Sequence, residues 1–427
     1  MGKIESAVRR IDNLYRAWAA VRSNVNASGQ VKFKAEVNRI SENPIPHLRR
    51  IQGQLQRRHF IFDEQHGVLK TKSTGKKRPL VVAPINNRIV QRAILNVLQS
   101  EDDRIAKHLG EIGNALRTRT SVGGILKRGV AHGTILVNEA IRAGATHYLR
   151  SDIRDFFTKV PKSKITDFVR EQTQDEEFST LLEQAMATEL DNADEIKDYL
   201  YLFPLEDIGV PQGSSLSAFA GNVVLKDFDA LLNGRNITTI RYIDDFVILG
   251  PSERTVKKAF SAAASALSKL GMAAYGPDEN PEKSKLGSIT DGFDFLGCSI
   301  RTNGVMPSSR SREKLLKDIR NTLTAGVQAV KMHASSGEAR RAGEAVAQVL
   351  CRVDRMIRGW GDAFSFSDNR LPFDQIDREI DRLLLEFKGR ANQAIKKASQ
   401  DGKRRALGVA LLKDTPRIPK GQEDAAC

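Results

Sequence analysis

Two adjacent carboxylates interrupt an otherwise apolar run at Arg241-Tyr-Ile-Asp-Asp-Phe-Val-Ile-Leu-Gly250. Thr238-Thr239-Ile240 leads in and Phe246-Val-Ile-Leu249 leads out, so β-branched and aromatic residues flank Asp244 and Asp245 as the two strands of a hairpin do. Side by side in such a run, the two charges suffer desolvation and mutual repulsion, and a divalent cation relieves both. A polar two-residue turn, with Asp-Asp chosen for turn chemistry alone, accounts for the same spacing.

A second run of the same kind bears on that choice. Tyr148-Leu-Arg-Ser-Asp152-Ile-Arg-Asp-Phe-Phe157 is again a short strand pattern ending in a carboxylate. Two Mg²⁺ ions, with Mn²⁺ as a substitute, need carboxylates from more than one strand while positions stay open for phosphate oxygens. Asp152 supplies the third beside Asp244 and Asp245.

Tyr242-Ile-Asp-Asp245 resembles the Tyr-x-Asp-Asp signature of reverse transcriptases, Asp152-Ile-Arg-Asp-Phe-Phe157 resembles their first palm motif, and Gly209-Val-Pro-Gln-Gly-Ser-Ser-Leu-Ser217 resembles the motif between them. Lys77-Arg-Pro-Leu80, Pro84 and Asn87-Arg-Ile-Val-Gln-Arg92 resemble the fingers of that family, with Asn87 where Asp is usual. Asn280-Pro-Glu-Lys-Ser284 resembles a palm turn and Phe293-Asp-Phe-Leu-Gly297 the primer grip, here Leu296 and Gly297.

The resemblance, over about residues 50–365, implies an α+β right-hand polymerase: fingers, a split βαβ palm on an antiparallel sheet, a helical thumb and a C-terminal helical extension. The corresponding boundaries are basic N-terminal helices at 1–57, fingers at 58–147, palm at 148–304 with an insertion at 163–205, thumb at 305–364 and the extension with its basic tail at 365–427. It also implies that Asp152, Asp244 and Asp245 hold two Mg²⁺, that Gln212 contacts the incoming nucleotide, and that Phe157 abuts the sugar's 2′ position. A bulky ring there favours dNTP over NTP. Lys283 either protonates the leaving pyrophosphate or is an exposed turn lysine. The loop Thr71-Lys-Ser-Thr-Gly-Lys-Lys77 suits a triphosphate because glycine admits the backbone and the lysines neutralise charge; Lys72, Lys76 and Arg78 are its candidate contacts.

The charge balance agrees with a polyanionic partner: 67 Lys and Arg stand against 52 Asp and Glu, a net +15 spread along 427 residues. Cys298, Cys351 and Cys427 form no CxxC pair, so neither a disulfide framework nor a zinc finger is expected, and a reducing cytoplasm is. With no run of 18 apolar residues and no signal-peptide core, neither secretion nor a membrane partner is expected.

Periodicity predicts a helix over 3–22 broken by 23–30, a second basic helix over 31–57, strands at His59–Phe62 and Gly67–Lys70, a loop-rich basic stretch at 105–145, and a helix over 163–203 whose acidic residues at 174–177 face solvent. Helices are also expected at 256–270 and 373–400, and a thumb from Ser308 to Gly359 whose Arg310, Arg312, Lys314, Lys317 and Arg320 follow a duplex backbone. On alternation, Phe156 and Phe157 lie on opposite faces of a strand.

The expected activity is RNA-directed DNA synthesis. Asn303-Gly-Val-Met306 and Asn114-Ala-Leu-Arg117 do not fit the retron patterns, and no endonuclease, integrase or protease pattern is seen. The chain therefore most resembles free-standing, defence-associated bacterial reverse transcriptases, with a structured noncoding RNA as template, dNTPs as substrates and DNA as product. A retron or group II intron-like retroelement enzyme is the alternative within the family, and a catalytically inactive RNA-binding protein the alternative outside it.

Overall fold

The computed structural model describes the chain except residues 1, 28–30, 72–74, 235, 278, 303, 336–344, 410 and 415–427. It is α+β, as expected, and divides between Thr290 and Asp291 into two units.

The first unit begins with α1 (Lys3–Val8), α2 (Ile11–Ala27), α3 (Val31–Glu42) and α4 (Pro44–Gln56). The single helix expected over 3–22 is thus two. Asn13 explains the break: its amide donates to the carbonyls of Val8 (3.0 Å) and Ala93 (3.0 Å), capping α1 and tying it to a later helix. The helix also continues through Val25, because burying that side chain outweighs the polar neighbours that suggest a break. The helix expected over 31–57 stops at Asn43, since proline disfavours helical backbone before it and suits a first helical position, where Pro44 sits.

Next come β1 (His66–Thr71) and β2 (Lys77–Val82), an antiparallel hairpin, then α5 (Ile85–Leu98). The strand expected at His59–Phe62 does not form. Asn87, fully buried on α5, instead accepts from the Asp63 N–H (3.2 Å) and donates to its carbonyl (2.8 Å), supplying by side chain what a ladder would have supplied. The stretch 105–145 is more ordered than its glycines suggest: after α6 (Asp103–Ala106) come α7 (Glu111–Arg117) and the thirteen-residue α8 (Val130–Arg142).

Beyond β3 (His147–Asp152), the helix expected over 163–203 is divided into α9 (Lys162–Thr173), α10 (Glu176–Met186) and a 3₁₀ stretch at Asp194–Leu202. Left-handed Gln174 (φ 49°) ends α9, and Asp175 caps α10 through Phe178 N–H (3.1 Å). Asp175 is buried rather than solvated, because its other oxygen accepts from the N–H groups of Ile4 (3.0 Å) and Glu5 (3.1 Å) at the start of α1. Short α11 (Ser217–Val224) and α12 (Lys226–Leu231) lead to β4 (Thr238–Tyr242), β5 (Asp245–Gly250), α13 (Glu253–Lys269) and β6 (Lys285–Ser288).

The four strands β4-β5-β3-β6 make one antiparallel sheet. Both α8 and α13 pack on it. One apolar core runs through the unit, from Leu14 and Trp18 of α2 to Ile89 and Ile94 of α5, Phe178 of α10 and Phe246 and Ile248 of β5.

The second unit opens with the three-stranded antiparallel sheet β7 (Phe293–Phe295), β8 (Cys298–Arg301) and β9 (Gly304–Pro307). It continues with α14 (Ser309–Ser335), α15 (Val346–Ala363), α16 (Leu371–Lys396) and α17 (Gln400–Ala406). Ile319 and Val327, Val349 and Val353, and Ile380 and Phe387 are the apolar faces of α14, α15 and α16 in one core. Gly326 lets α14 and α15 approach, since a Cβ there would lie 2.6 Å from a Val349 methyl. Arg310, Lys314, Lys317 and Arg320 are exposed, with Lys314 meeting Asp318 (3.2 Å) and Arg320 meeting Glu379 (3.6 Å). Among the described residues no helix is long and apolar enough to cross a membrane.

Because one carboxylate caps two helices, Asp175→Ala should destabilise the first unit by about 2 kcal/mol, about 1 for each cap. Chemical denaturation would show this, with Asp175→Asn losing less.

Candidate active site

The β4–β5 turn is built from Ile243 and Asp244. Ile243 takes the left-handed conformation (φ 61°), as such a tight turn requires, although a β-branched residue rarely adopts it. The register of β5 on β3 then sets Asp245 directly opposite Asp152. The Asp244 carbonyl accepts from Ile153 N–H (2.9 Å), fixing the turn to the strand that carries Asp152. Lys283 arrives from the turn before β6, its Nζ 2.8 Å from Asp152 Oδ2. That turn closes through the Asn280 carbonyl, which accepts from Lys283 N–H (3.0 Å) and Ser284 N–H (2.8 Å).

The carboxylates feel one another. Burial, and next the charge of Asp152, push Asp244 above the usual carboxylate range, and Lys283 and Arg78 oppose the shift. Asp245, deeper among protein atoms, is pushed up to about 7, chiefly by burial; Asp152 and Asp244 add to the rise and Arg150 works against it. Among the described residues, no three His, Cys, Asp or Glu side chains stand ready grouped as a metal cluster. Asp152 instead shares an oxygen with the Lys283 ammonium. The fit to divalent cations rests on the donors: three carboxylates, hard oxygen donors, at one sheet end, two of them raised above their ordinary pKa chiefly by burial and next by neighbouring negative charge.

Of the other expected site residues, Lys72 lies outside the described residues. Lys76 and Arg78 are exposed beside the β1–β2 turn, and the charge of Arg78 reaches Asp244. Gln212 is strapped to β2, its carbonyl accepting from Val81 N–H (2.9 Å), and a Cβ at Gly213 (φ 127°) would lie 2.5 Å from the Val81 carbonyl oxygen. Phe157 is joined to the same segment, its carbonyl accepting from Val210 N–H (2.7 Å).

Phe156 and Phe157 stand on a 3₁₀ turn rather than on a strand, because β3 ends at Asp152 and Asp155 reverses the chain (φ 45°). Phe156 is buried against Gly221, and Phe157 stays half-exposed with its ring 5.5 Å from that of Phe156. Leu296 and Gly297 form the β7–β8 turn in the second unit, with φ of 53° and 77°. The structure thus joins Asp152, Asp244, Asp245, Lys283 and Arg78, links Phe157 to Gln212 through backbone, and sets Leu296 and Gly297 in another unit.

Two neighbours carried no signal in motif spacing. Tyr275 donates its N–H to the Asp152 carbonyl (3.2 Å) and receives the Arg154 guanidinium over its ring at 4.6 Å. Arg241, read as part of a strand pattern, is wholly buried. A charged residue in an apolar run, two positions before the turn, was the available hint.

A sequence profile of the family described as reverse transcriptase (RNA-dependent DNA polymerase) matches residues 68–300, more than half the chain and the whole stretch containing these carboxylates. The chain belongs to the reverse transcriptase family. This reverse transcriptase family member is 25% identical over 268 residues to Protein YkfC of Escherichia coli (strain K12), covering 53% of this chain and 64% of YkfC. It is 21% identical over 392 residues to an uncharacterized 91 kDa protein in a cob intron of Schizosaccharomyces pombe (strain 972 / ATCC 24843), covering 74% of this chain and 45% of that protein. The chain therefore spans less than two thirds of the length of either relative. Among solved structures, telomerase from Candida albicans, in complex with a fragment of telomeric RNA, aligns at TM-score 0.41 and 11% identity over 83% of this chain and 62% of that one.

The raised Asp245 has a consequence for stability. With its folded pKa about 7, above the ordinary 3.8, the folded state holds this proton more tightly than the unfolded state. Its contribution is full below about pH 4 and is lost as pH rises through about 7. Without divalent cations, Asp245→Asn should raise the melting temperature at pH 8 and leave it unchanged at pH 4, as thermal scans would show.

Proposed function

We propose that this chain is an RNA-directed DNA polymerase that copies an RNA template into DNA from dNTPs. The observation that carries the reading is the pairing of Asp152 with Asp245 across the sheet, beside Asp244 on the turn and Lys283 on Asp152. Family membership supports it, and the net charge of +15 suits a nucleic-acid duplex.

In this reading residues 58–147, 148–304 and 305–364 are fingers, palm and thumb, preceded by the N-terminal helices and followed by the C-terminal extension. Two Mg²⁺ ions, or Mn²⁺, held by Asp152, Asp244 and Asp245, would lower the pKa of a primer 3′-hydroxyl and neutralise the triphosphate. Lys76 and Arg78, with Lys72, draw the phosphates to the fingers side. Gln212, fixed by its backbone to β2, meets the incoming nucleotide, and the half-exposed ring of Phe157 occupies the space a 2′-hydroxyl needs. Lys283 keeps an ammonium beside Asp152, where it offsets carboxylate charge and can hand a proton to departing pyrophosphate. Leu296 and Gly297 form the primer grip.

The biological setting we propose is antiphage defence with a structured noncoding RNA as template, supported by the resemblance to free-standing defence enzymes. A second reading, a retroelement enzyme, is favoured by the likeness to the protein in the cob intron.

Asp244→Ala/Asp245→Ala should abolish dNTP incorporation on primed RNA while RNA binding persists; synthesis at the wild-type rate would sink the polymerase reading. In cells carrying the gene with its flanking DNA, the same variant should lose phage resistance. Protection that survives it, or no protection against a broad phage panel, would favour the retroelement role. Phe157→Ala should raise the use of NTP relative to dNTP at least tenfold, on the order of what removing a steric exclusion gives; an unchanged ratio would place the gate elsewhere.

A further inference from the structure

Arg241 is fully buried, and its fork is used from end to end. Nε donates to Asp229 Oδ1 (2.7 Å), and one terminal nitrogen donates to Asp229 Oδ2 (2.5 Å), Ser121 Oγ (3.0 Å) and Asn222 Oδ1 (3.1 Å). The other terminal nitrogen donates to the carbonyl of Ile243 (2.9 Å), the left-handed residue of the turn. Its main chain is held as well: Arg241 N–H donates to the Thr120 carbonyl (2.9 Å), and the Arg241 carbonyl accepts from Val122 N–H (2.8 Å). Asp229 on α12 is itself buried, and the Asn222 amide on α11 donates to the Gly123 carbonyl (3.0 Å). Gly123 bounds the turn elsewhere, since a Cβ there would lie 2.7 Å from Ile243 N.

Ion pairs this deep add little net stability over apolar residues of similar volume, because desolvation cancels most of the attraction. A left-handed β-branched residue, in contrast, is strained and persists only where its surroundings over-determine it. The only donor that the described hydrogen bonds give the Ile243 carbonyl is Arg241. We propose that Arg241 is a positioning residue for nucleotidyl transfer: braced by Asp229, Ser121 and Asn222, it holds the Ile243 carbonyl and so fixes where Asp244 and Asp245 project. Its partners come from α11, α12 and the 120–123 segment, so the aim of the carboxylates depends on all three. The inference rests on the polymerase reading.

The test compares wild type with Arg241→Met/Asp229→Leu, which leaves no buried charge unpaired, and with Arg241→Lys, which keeps a cation on Asp229 but lacks the fork that also reaches Ile243. Primed RNA, dNTP and Mg²⁺ are supplied to each. A wild type that incorporates nothing refutes the polymerase reading itself. Given an active wild type, the double variant should melt within a few degrees of it while kcat falls about tenfold to a hundredfold, as misplacement of reacting groups does. KM for dNTP and affinity for RNA should stay within about a factor of two. Arg241→Lys should show the same split. A folded variant with wild-type kcat, or a loss confined to KM, overturns the proposal. Should neither variant fold, amide exchange in wild type decides: the amide of Asp245, paired with Tyr242, should be protected like those of β3, and exchange as fast as at the exposed Gly124 overturns the proposal.

Discussion

The first unit is arranged around a repulsion. Asp152 and Asp245 face each other across an antiparallel pair, and Asp244 stands next to them on the turn. No packing preference gathers three carboxylates at one sheet end, so the surrounding structure must bear the cost. It does so with cations drawn from separate segments: Lys283 on Asp152, Arg150 near Asp245 and Arg78 near Asp244. Register gives the arrangement its sharpness. A slip of one residue between β3 and β5 would turn the alternating side chains to the wrong faces and part the two aspartates.

Much of this was legible in the chain. The apolar run from Phe246 to Leu249 reads as a buried strand, and all four of those residues are buried in β5. The helix at 256–270 and the turn at 280–284 are where their patterns put them. The pairing of Asp152 with Asp245 was not readable from spacing, because nothing local specifies the register between segments so far apart. It became an expectation only through motif resemblance.

The misses share a cause: side chains took over work that the backbone was expected to do. Asn87 replaces a ladder for residues near Asp63, Asn13 ends a helix that periodicity would have continued, and Asp175 turns an acidic run into a buried cap. Each is a short polar side chain with at least one partner 24 or more residues away, and windowed pattern reading does not reach that far. The break at Asn43-Pro44 is different, since proline announces it locally. Phe156 and Phe157 separate into a buried and a half-exposed ring as alternation suggested, but through a 3₁₀ turn.

The cap at Asp175 also bears on the order in which the chain can assemble. The N–H groups of Ile4 and Glu5 wait for a carboxylate 171 and 170 residues further along. At about 5–20 residues per second, a ribosome takes on the order of ten seconds or more to deliver it. Until then α1 has no side-chain cap and lacks its contact with α10, whereas α5, which ends at Leu98, is made well before. The contact that closes the start of α1 is thus among the later ones that synthesis makes possible in the first unit.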